Sequence, residues 1–335
     1  MANLQAVSTL VPYCASSSSI EACLCVQVGA TMHNVLFVMA GAQALAAPAA
    51  PSLYVVGCGV LGRATCRLWR EAHPGARIIG ETASTASHAE LERLGATPAT
   101  RAARGTPAKC ANVLFCAPPS AYGDEEYAAE VTEAVRSCWD GSGAFLMASS
   151  GGVFAEDAGG VVDEAGATLD TPRARKLLGA ERAALAAGGA VVRLAGLYTR
   201  DRGAHGYWYK QGEVRAAGDG SLLNFLHYDD AAAFAARALE ARVADEVLLA
   251  ADGSPRTRAG CVDAVARHPL FRDRARPTFV AGDAPPRRGP AGGGRVYDCA
   301  RSAARVGGWA PAWPSLDAFF AADAEKPSEV ADRLP

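Results

Sequence analysis

Strand-like and helix-like segments alternate along residues 53–198. LYVVGCG (53–59) is a buried strand that runs into a glycine turn, and VLGRATCRLWREAH continues from it as an amphipathic helix. The further apolar strands are ARIIGE (76–81), NVLFCAPPS (112–120), GAFLMASS (143–150) and GAVVRLAGLY (189–198). Strands that alternate with helices pair in parallel, and the helices cover both faces of the sheet. The sequence therefore predicts an α/β fold with a doubly wound parallel sheet.

The turn between the first strand and the first helix has the spacing GxGxxG. Gly57 suits the tight turn, Gly59 lets the backbone approach a diphosphate, and Gly62 lets the helix pack on the strand. The phosphates then lie at the N-terminus of the helix. The alternative is a glycine turn that serves packing alone. We predict a Rossmann-type dinucleotide site at Gly57, Cys58, Gly59, Val60, Leu61 and Gly62.

Two charged residues near this turn bear on which dinucleotide binds. Glu81 ends the second strand, about twenty residues past the turn, where a carboxylate holds the ribose hydroxyls of NAD. Arg63 directly follows the turn and favours the additional phosphate of NADP. We therefore predict NAD or NADP as the cofactor, with NAD slightly favoured, and Arg63 and Glu81 among its contacts.

The first 51 residues differ in composition from the rest of the chain. They contain no Lys or Arg, and from Met32 a short apolar run leads into small residues of the A-x-A kind. This pattern is typical of a secretory signal with a cleavage site, and the alternative is a disordered terminus. The run is too short to span a bilayer comfortably. We exclude residues 1–51 from the fold and expect no membrane association of the mature form.

The alternation loosens after Tyr198. We therefore expect residues 52–198 to form the dinucleotide-binding domain and residues 199–335 to form mainly a smaller C-terminal substrate cap. FLHYDDAAAFAARALEARV predicts a helix that has Asp229 and Asp230 at its N-terminus, where the helix dipole favours acidic groups. EVLLAADG (246–253) predicts a further strand, so some elements of this region return to the sheet.

Composition excludes several classes of protein. The net charge is −2 and no dense Lys/Arg block occurs, which gives no electrostatic basis for binding nucleic acid. The ten cysteines are scattered without a C-x-x-C pair. This argues against a metal site and against a disulfide framework, and predicts reduced cysteines packed as small apolar residues.

Several motifs occur in one order along the chain. GCGVLG is followed by SSGGVF at a strand end, by the RLAGLY strand, by FLHYDDAA and by GGWAPAWPS near the end. This set resembles the short-chain dehydrogenase/reductase superfamily, and more narrowly its extended branch, which holds the NAD-dependent epimerases and dehydratases. The glycine spacing and the closing segment are similar to those of an atypical subgroup from bacteria and plant plastids. The resemblance covers residues 53–320.

The resemblance carries expectations of its own. It implies a nicotinamide dinucleotide, contacts to it from Ala117 after the NVLF strand, and a cleft for a small-molecule substrate between sheet and cap. It also implies a plastid location, reached through the secretory route. The cytoplasm and the secretory pathway are the alternatives.

The catalytic positions of the family are only partly retained. Members place a Ser or Thr at the SSGGVF strand end, where this chain has Ser150. They place a Tyr and a Lys four residues apart on the next helix. Alignment on Glu181 puts Arg173 and Leu177 at those two positions, and a shift by one residue, which would use Lys176, supplies no Tyr either. Both catalytic groups of that helix are therefore missing.

Arg173 lies in the first turn of a helix that Thr171 and Pro172 begin. The helix dipole disfavours a cation there, and Arg173 is one turn before Leu177, on the apolar side of the helix. We therefore expect Arg173 to face the cleft. A guanidinium does not exchange protons at usable pH, but it binds a carboxylate or phosphate through paired hydrogen bonds. The alternative is a salt bridge to a nearby Asp or Glu.

Three residues of the expected cap are candidates for substrate contact: His205, Tyr207 and His227. Tyr207 and Lys210 also offer the two missing residue types at a spacing of three. A structural role is the alternative for each of them.

These features favour two functions. The first is an NAD(P)-dependent oxidoreductase or epimerase-like enzyme for a small polar or anionic substrate, with Ser150 and Arg173 in its active site. The second is a catalytically silent dinucleotide binder that acts as a sensor or scaffold. The sequence leaves the substrate and the oligomeric state open.

Overall fold

The computed structural model describes residues 50–104, 109–216, 221–281 and 293–324. The expected targeting segment, apart from its last two residues, lies outside these ranges. Residues 282–292, which are rich in Pro and Gly, lie outside them as well.

A seven-stranded sheet forms the centre of the fold, and each neighbouring pair in it is parallel. Its strands in chain order are β1 (Leu53–Val56), β2 (Ile78–Thr82), β3 (Thr97–Thr100), β4 (Asn112–Phe115), β5 (Phe145–Ser150), β7 (Ala190–Leu194) and β12 (Val247–Ala250). Their order across the sheet is β12-β7-β5-β4-β1-β2-β3. The predicted doubly wound parallel sheet is confirmed.

Helices cover both faces of this sheet. The helices between and beside its strands are α1 (Val60–Ala72), α2 (His88–Arg93), α3 (Asp124–Cys138), α4 (Pro172–Ala186) and α6 (Tyr228–Glu240). Alternate residues of a strand point to opposite faces, so Leu53 and Val55 pack in one core, with α1 and α6. Tyr54 and Val56 pack in the other, with α3 and α4.

The remaining elements build a smaller, mainly C-terminal part. Its strands are β6 (Ala158–Val162), β8 (Gly196–Tyr198), β9 (Glu213–Ala216), β10 (Leu222–Leu223), β11 (Phe225–His227), β13 (Arg256–Thr257), β14 (Thr278–Ala281) and β15 (Gly294–Tyr297). Its helices are α5 (Ala204–Gln211), α7 (Arg258–Val265) and α9 (Leu316–Ala324), whereas α8 (Ala300–Arg305) packs beside β12 of the central sheet. Four of these strands form a second sheet, in the order β13-β10-β15-β6. An aromatic-rich core holds α5, α7 and α9 together.

A buried ion pair fastens α4 to the central sheet. Arg193 on β7 donates to both carboxylate oxygens of Glu181 on α4, with its shortest bond at 2.8 Å. The hydroxyl of Ser149 on β5 donates to the same carboxylate at 2.5 Å. The side chains of Arg193 and Glu181 are 7% and 3% exposed. Because burial removes water from both charges, each depends on the other for compensation.

We expect Arg193→Met to lower the free energy of unfolding by about 3–5 kcal/mol, because it leaves the Glu181 carboxylate buried without its cation. Urea denaturation measures the change. The double variant Arg193→Met/Glu181→Met should recover most of the loss. Arg136→Met, which breaks the exposed pair with Glu133, is the matched control and should have little effect. Equal losses in the two single variants would contradict the assigned role of burial.

Asp252 is a buried acid that follows β12. Its Oδ1 accepts a hydrogen bond from the Ser254 amide at 2.9 Å, and its Oδ2 has no hydrogen-bond partner within the described chain. Burial raises the pKa of the Asp252 carboxyl to about 7, from an ordinary value of 3.8. Folding therefore favours the protonated form of this side chain.

This raised pKa predicts a pH dependence of stability. The unfolded chain loses the Asp252 proton near pH 4 and the folded chain keeps it to about pH 7, so the free energy of unfolding should fall as the pH rises through this window. The loss is on the order of 4 kcal/mol. Asp252→Asn should remove this contribution, and Asp273→Asn, at an acid 81% exposed, should not. Denaturation curves at several pH values measure the free energy of unfolding. If it depends on pH in the same way in the native chain and in Asp252→Asn, the prediction is wrong.

Candidate functional site

Gly57 forms a tight turn after β1 that only glycine fits. Its φ is +77°, a conformation that other residues rarely adopt. A Cβ on Gly57 would lie 2.5 Å from the amide nitrogen of Ala117 and would overlap its Cα. The turn therefore packs directly on the chain that leaves β4, and it brings Ala117 to the edge of the predicted dinucleotide site.

Gly59 and Gly62 differ in what surrounds them. A Cβ on Gly62 would lie 2.8 Å from the Val55 side chain, so this glycine lets α1 pack on β1. A Cβ on Gly59 would meet no atom nearer than 3.8 Å, so space is open beside this residue. Gly59 is the N-cap of α1 and has no side chain to cap the helix.

The geometry of the turn fits a diphosphate. The first amides of an α-helix lack partners within the helix and present partial positive charge. The first turn of α1 carries no acidic residue that would compete for these amides. Open space beside Gly59 therefore coincides with donors that suit an anion, and a ligand there would be held by backbone more than by side chains.

The side chains of Cys58 and Leu61 point into the protein. Both are buried, and the Cys58 thiol lies 3.7 Å from the Cys66 thiol. Val60 is half-buried. All seven described cysteines are free.

Glu81 is engaged by protein groups. Tyr54 donates its hydroxyl to Glu81 at 2.9 Å, and Arg104 donates to both carboxylate oxygens, at 2.8 and 2.5 Å. The Glu81 side chain is 4% exposed. These bonds take up most of the acceptor capacity of a carboxylate that is almost fully buried, so the cofactor role of Glu81 stays a prediction that the contacts argue against.

Arg63 has a more accessible position than Glu81. It lies in the first turn of α1 and its guanidinium pairs with Glu90 on α2 at 3.1 Å, with both side chains partly exposed. An exposed pair of this kind is weak. Arg63 can therefore turn to an added phosphate at low energetic cost.

A cavity of about 270 Å³ brings Ser150 and Arg173 together. It opens at the ends of β5 and β7, the same edge of the parallel sheet at which the glycine turn follows β1. Ser150 lies at the end of β5, and its hydroxyl accepts a hydrogen bond from the Gly152 amide at 3.1 Å. Arg173 reaches the cavity from the first turn of α4.

Helix α4 begins as its sequence predicts. Thr171 caps it by accepting a hydrogen bond from the Ala174 amide at 3.2 Å, and Pro172 is the first helical residue. Arg173 is exposed at the cavity and makes no ion pair or hydrogen bond within the described part of the chain. The alternative of a salt bridge at Arg173 is thus not realised there, and its guanidinium is available to a ligand.

The other basic residues of this turn are paired elsewhere. Arg175 bonds to Asp170 at 2.8 Å on the surface, as expected of a solvated charge. Lys176 donates to the backbone oxygen of Tyr122. Leu177, at the position of the family lysine, is 3% exposed and packs in the core. None of the three lines the cavity.

Two further cavity residues, Arg295 and Tyr297, carry no recognisable sequence signal. Both lie on β15, a strand of four residues, and both are buried where they line the cavity. Arg295 donates to the backbone oxygen of Phe154. A short strand beside a Pro/Gly-rich stretch has no periodic pattern that would mark these residues in advance.

The cap residues His205 and Tyr207 lie apart from this cavity. His205 is fully buried, with its ring 5.0 Å from that of Phe320. Burial lowers the pKa of His205 to about 4, so the ring is neutral. Tyr207 is 63% exposed. These placements argue against substrate contacts by either residue, and both assignments stay predictions.

His227 also has a structural role in place. It is the N-cap of α6, where its Nδ1 accepts a hydrogen bond from the Asp229 amide at 3.2 Å. Its ring packs 4.5 Å from that of Phe319, and burial lowers its pKa. It does not line the cavity, so substrate binding by His227 stays a prediction without geometric support.

The described residues contain neither a membrane-spanning helix nor a cluster of metal ligands. None of the described helices has the length and apolar character needed to cross a bilayer. In the same ranges, no three His, Cys, Asp or Glu side chains come together as ligands of a metal ion would.

Comparison with known proteins finds likeness at the level of structure. No model of a protein family matches the chain, and no curated protein is detectably similar in sequence. A conserved protein of unknown function from Silicibacter pomeroyi shares 20% identity at a TM-score of 0.65, over 82% of this chain and 100% of its own.

Two similar structures hold nicotinamide dinucleotides. The dTDP-glucose 4,6-dehydratase of Bacillus anthracis, in complex with NAD, has 13% identity and a TM-score of 0.62 over 81% of this chain and 96% of its own. The human epimerase family protein SDR39U1, with NADPH, has 17% identity and a TM-score of 0.63 over 82% and 99%. The chain therefore has the fold of the NAD-dependent epimerases and dehydratases of the extended short-chain dehydrogenase/reductase group, as the ordered motifs predict.

Proposed function

We propose that the chain binds NAD or NADP at the glycine turn and acts as an oxidoreductase or epimerase-like enzyme on a small anionic substrate. One observation carries the proposal. The cavity that holds Ser150 and Arg173 opens at the same edge of the sheet as the turn at Gly57–Gly62. Parallel α/β sheets bind their ligands at this edge.

Support for the cofactor comes from the turn and from proteins of the same fold. The open space beside Gly59 and the amides that begin α1 suit a diphosphate. Similar structures hold NAD in one case and NADPH in another. Because Glu81 is engaged by Tyr54 and Arg104, while Arg63 is accessible, the residues of this chain leave both dinucleotides open.

Charge and size support a small acid as the substrate. Two arginines, Arg173 and Arg295, are among the residues that line the cavity, and no acidic residue is among those described. A volume of about 270 Å³ is at the lower end for ligand pockets. A small carboxylate or phosphate ester would fit the charge and the space better than a large neutral molecule.

The residues of the cavity have separate roles in this proposal. A bound nicotinamide supplies or accepts a hydride. Arg173 binds the anionic group through paired hydrogen bonds and thereby orients the substrate. Ser150 positions the oxygen of the reacting carbon with its hydroxyl. Neither group supplies a titratable base, because guanidinium and serine hydroxyl do not exchange protons readily near neutral pH.

A silent dinucleotide binder is the alternative function. The observation that favours it is Leu177, which is buried where members of the family have the catalytic lysine. Incubation with small carbonyl or hydroxy acids and both forms of NAD and NADP separates the two functions. Hydride transfer, seen as a change in dihydronicotinamide absorbance, supports an enzyme. Tight binding without turnover over the whole screen supports the silent binder.

We expect Gly59→Val to reduce dinucleotide affinity by at least a hundredfold, because the added side chain fills the space beside the first amides of α1. Isothermal titration calorimetry with NAD and NADP measures the loss. Gly75→Val is the matched control, since a Cβ there also meets no atom nearer than 3.8 Å and the residue lies outside the site. Unchanged affinity in a folded Gly59→Val protein would refute the assignment of the turn.

We expect Arg173→Ala to weaken the binding of small carboxylates about tenfold to a hundredfold, because a charge-assisted pair of hydrogen bonds is lost. Calorimetry with lactate and propionate, at saturating dinucleotide, checks it. Arg175→Ala, which removes a cation already paired with Asp170, is the control. If Arg173 only opposes the helix dipole, its removal will leave affinity unchanged and raise the melting temperature.

A further inference from the structure

Tyr297 reaches the strand end that carries Ser150, although the two are far apart in sequence. A Cβ on Gly151 would lie 2.6 Å from Cζ of Tyr297 and would overlap its hydroxyl oxygen. The phenol thus occupies the space that glycine leaves open directly after Ser150. Its ring packs edge-on against Phe154, with 5.7 Å between the ring centroids.

Asn224 holds the strand that positions Tyr297. Its Oδ1 accepts a hydrogen bond from the Tyr297 amide at 3.0 Å, and its Nδ2 donates to the backbone oxygen of Arg295 at 3.0 Å. Asn224 lies between β10 and β11, and it too lines the cavity. Residues 295 and 297 are two apart on one strand, so their side chains share a face, and that face lines the cavity.

We propose that Tyr297 supplies the phenol that helix α4 lacks, and exchanges the proton of the substrate oxygen that Ser150 positions. This inference rests on the proposed function, because it needs a substrate in the cavity and a nicotinamide beside it. Among the described residues that line this cavity, Tyr297 carries the group suited to such an exchange. The other polar groups there are a hydroxyl of Ser150, an amide of Asn224 and two guanidiniums.

The proton and electron balance of the step is simple. When a carbonyl is reduced, its carbon receives a hydride from the reduced nicotinamide and its oxygen receives the phenol proton of Tyr297. The C=O double bond becomes a C–O single bond, and Tyr297 is left as a phenolate that regains a proton from water at the cavity mouth. Oxidation of an alcohol runs through the same atoms in reverse. The guanidinium groups of Arg173 and Arg295 offset the negative charge on the phenolate.

Tyr207 is a weaker candidate for this role. It is 63% exposed on α5 and does not line the cavity. A proton donor has to lie within hydrogen-bond reach of the reacting oxygen or one water away. Tyr207 therefore serves as the matched control in the test.

The test compares small acids that differ by one oxygen. Propionate offers only a carboxylate, whereas lactate carries a hydroxyl beside it and pyruvate a carbonyl. Binding is measured by calorimetry. Lactate is paired with reduced dinucleotide and pyruvate with oxidised dinucleotide, because neither pair can react. We expect the native chain to bind lactate and pyruvate about tenfold more tightly than propionate, because each gains a hydrogen bond in the cavity.

Tyr297→Phe should bring this preference close to one while leaving propionate and dinucleotide affinity unchanged. Gly151→Ala keeps the phenol but displaces its hydroxyl, and should lose the preference too. Tyr207→Phe should retain the native preference. Any acid that supports hydride transfer in the native chain should be turned over at least a hundredfold more slowly by Tyr297→Phe, with KM raised by about the same tenfold as the dissociation constant.

The outcomes separate the two proposals. A preference for lactate and pyruvate that survives in Tyr297→Phe overturns the role of Tyr297, and so does a native chain with no such preference. Both results leave dinucleotide and carboxylate binding intact, and with them the proposed function. If the native chain binds no dinucleotide or none of the acids, the proposed function fails and the role of Tyr297 fails with it.

Discussion

The buried pair of Arg193 and Glu181 determines how the substrate side of the site is assembled. Arg193 belongs to β7, Glu181 to α4, and Ser149, which donates to Glu181, to β5. A slip of helix against sheet would leave both buried charges without their partners, at a cost of several kcal/mol. The arrangement therefore has little freedom. It fixes Ser150, one residue beyond Ser149, and Arg173, about two helical turns before Glu181, on one cavity.

The two halves of the site depend on different kinds of chemistry. The proposed cofactor half is made from backbone: Gly57 passes close to Ala117, and Gly59 leaves space beside the first amides of α1, but no side chain is required. The substrate half depends on side chains, and here the chain departs from the family pattern at Arg173 and Leu177. Leu177 is buried in the core and has no amine, so no rotamer of this residue can do what the family lysine does. Dinucleotide binding can thus be retained while the proton chemistry changes.

Local sequence signals predicted the fold around the glycine turn well and the lining of the cavity only in part. The strand, glycine turn and helix around Gly59 are neighbours in sequence, so their pattern could be read directly, and the doubly wound sheet followed from the alternation. The edge strand Thr97–Thr100 was not predicted, because it is short and polar and contains a proline. Tyr297 and its strand could not be found, because their position depends on pairing between β15 and β6, more than a hundred residues apart. Residue type alone suggested His205 as a substrate contact, whereas packing against the rings of Phe271 and Phe320 determines where this side chain lies.

Charge connects substrate choice with the chemistry expected of Tyr297. A cavity lined by Arg173 and Arg295, with no carboxylate among its described lining residues, favours a ligand that brings negative charge. One guanidinium can pair with the anion of the substrate while the second still opposes the charge of a phenolate. With a single arginine these two demands would compete, because an anion bound to it would cancel the field that the phenolate needs. In the proposed mechanism, two cations from different elements, Arg173 of α4 and Arg295 of β15, would let substrate binding and proton transfer occur together.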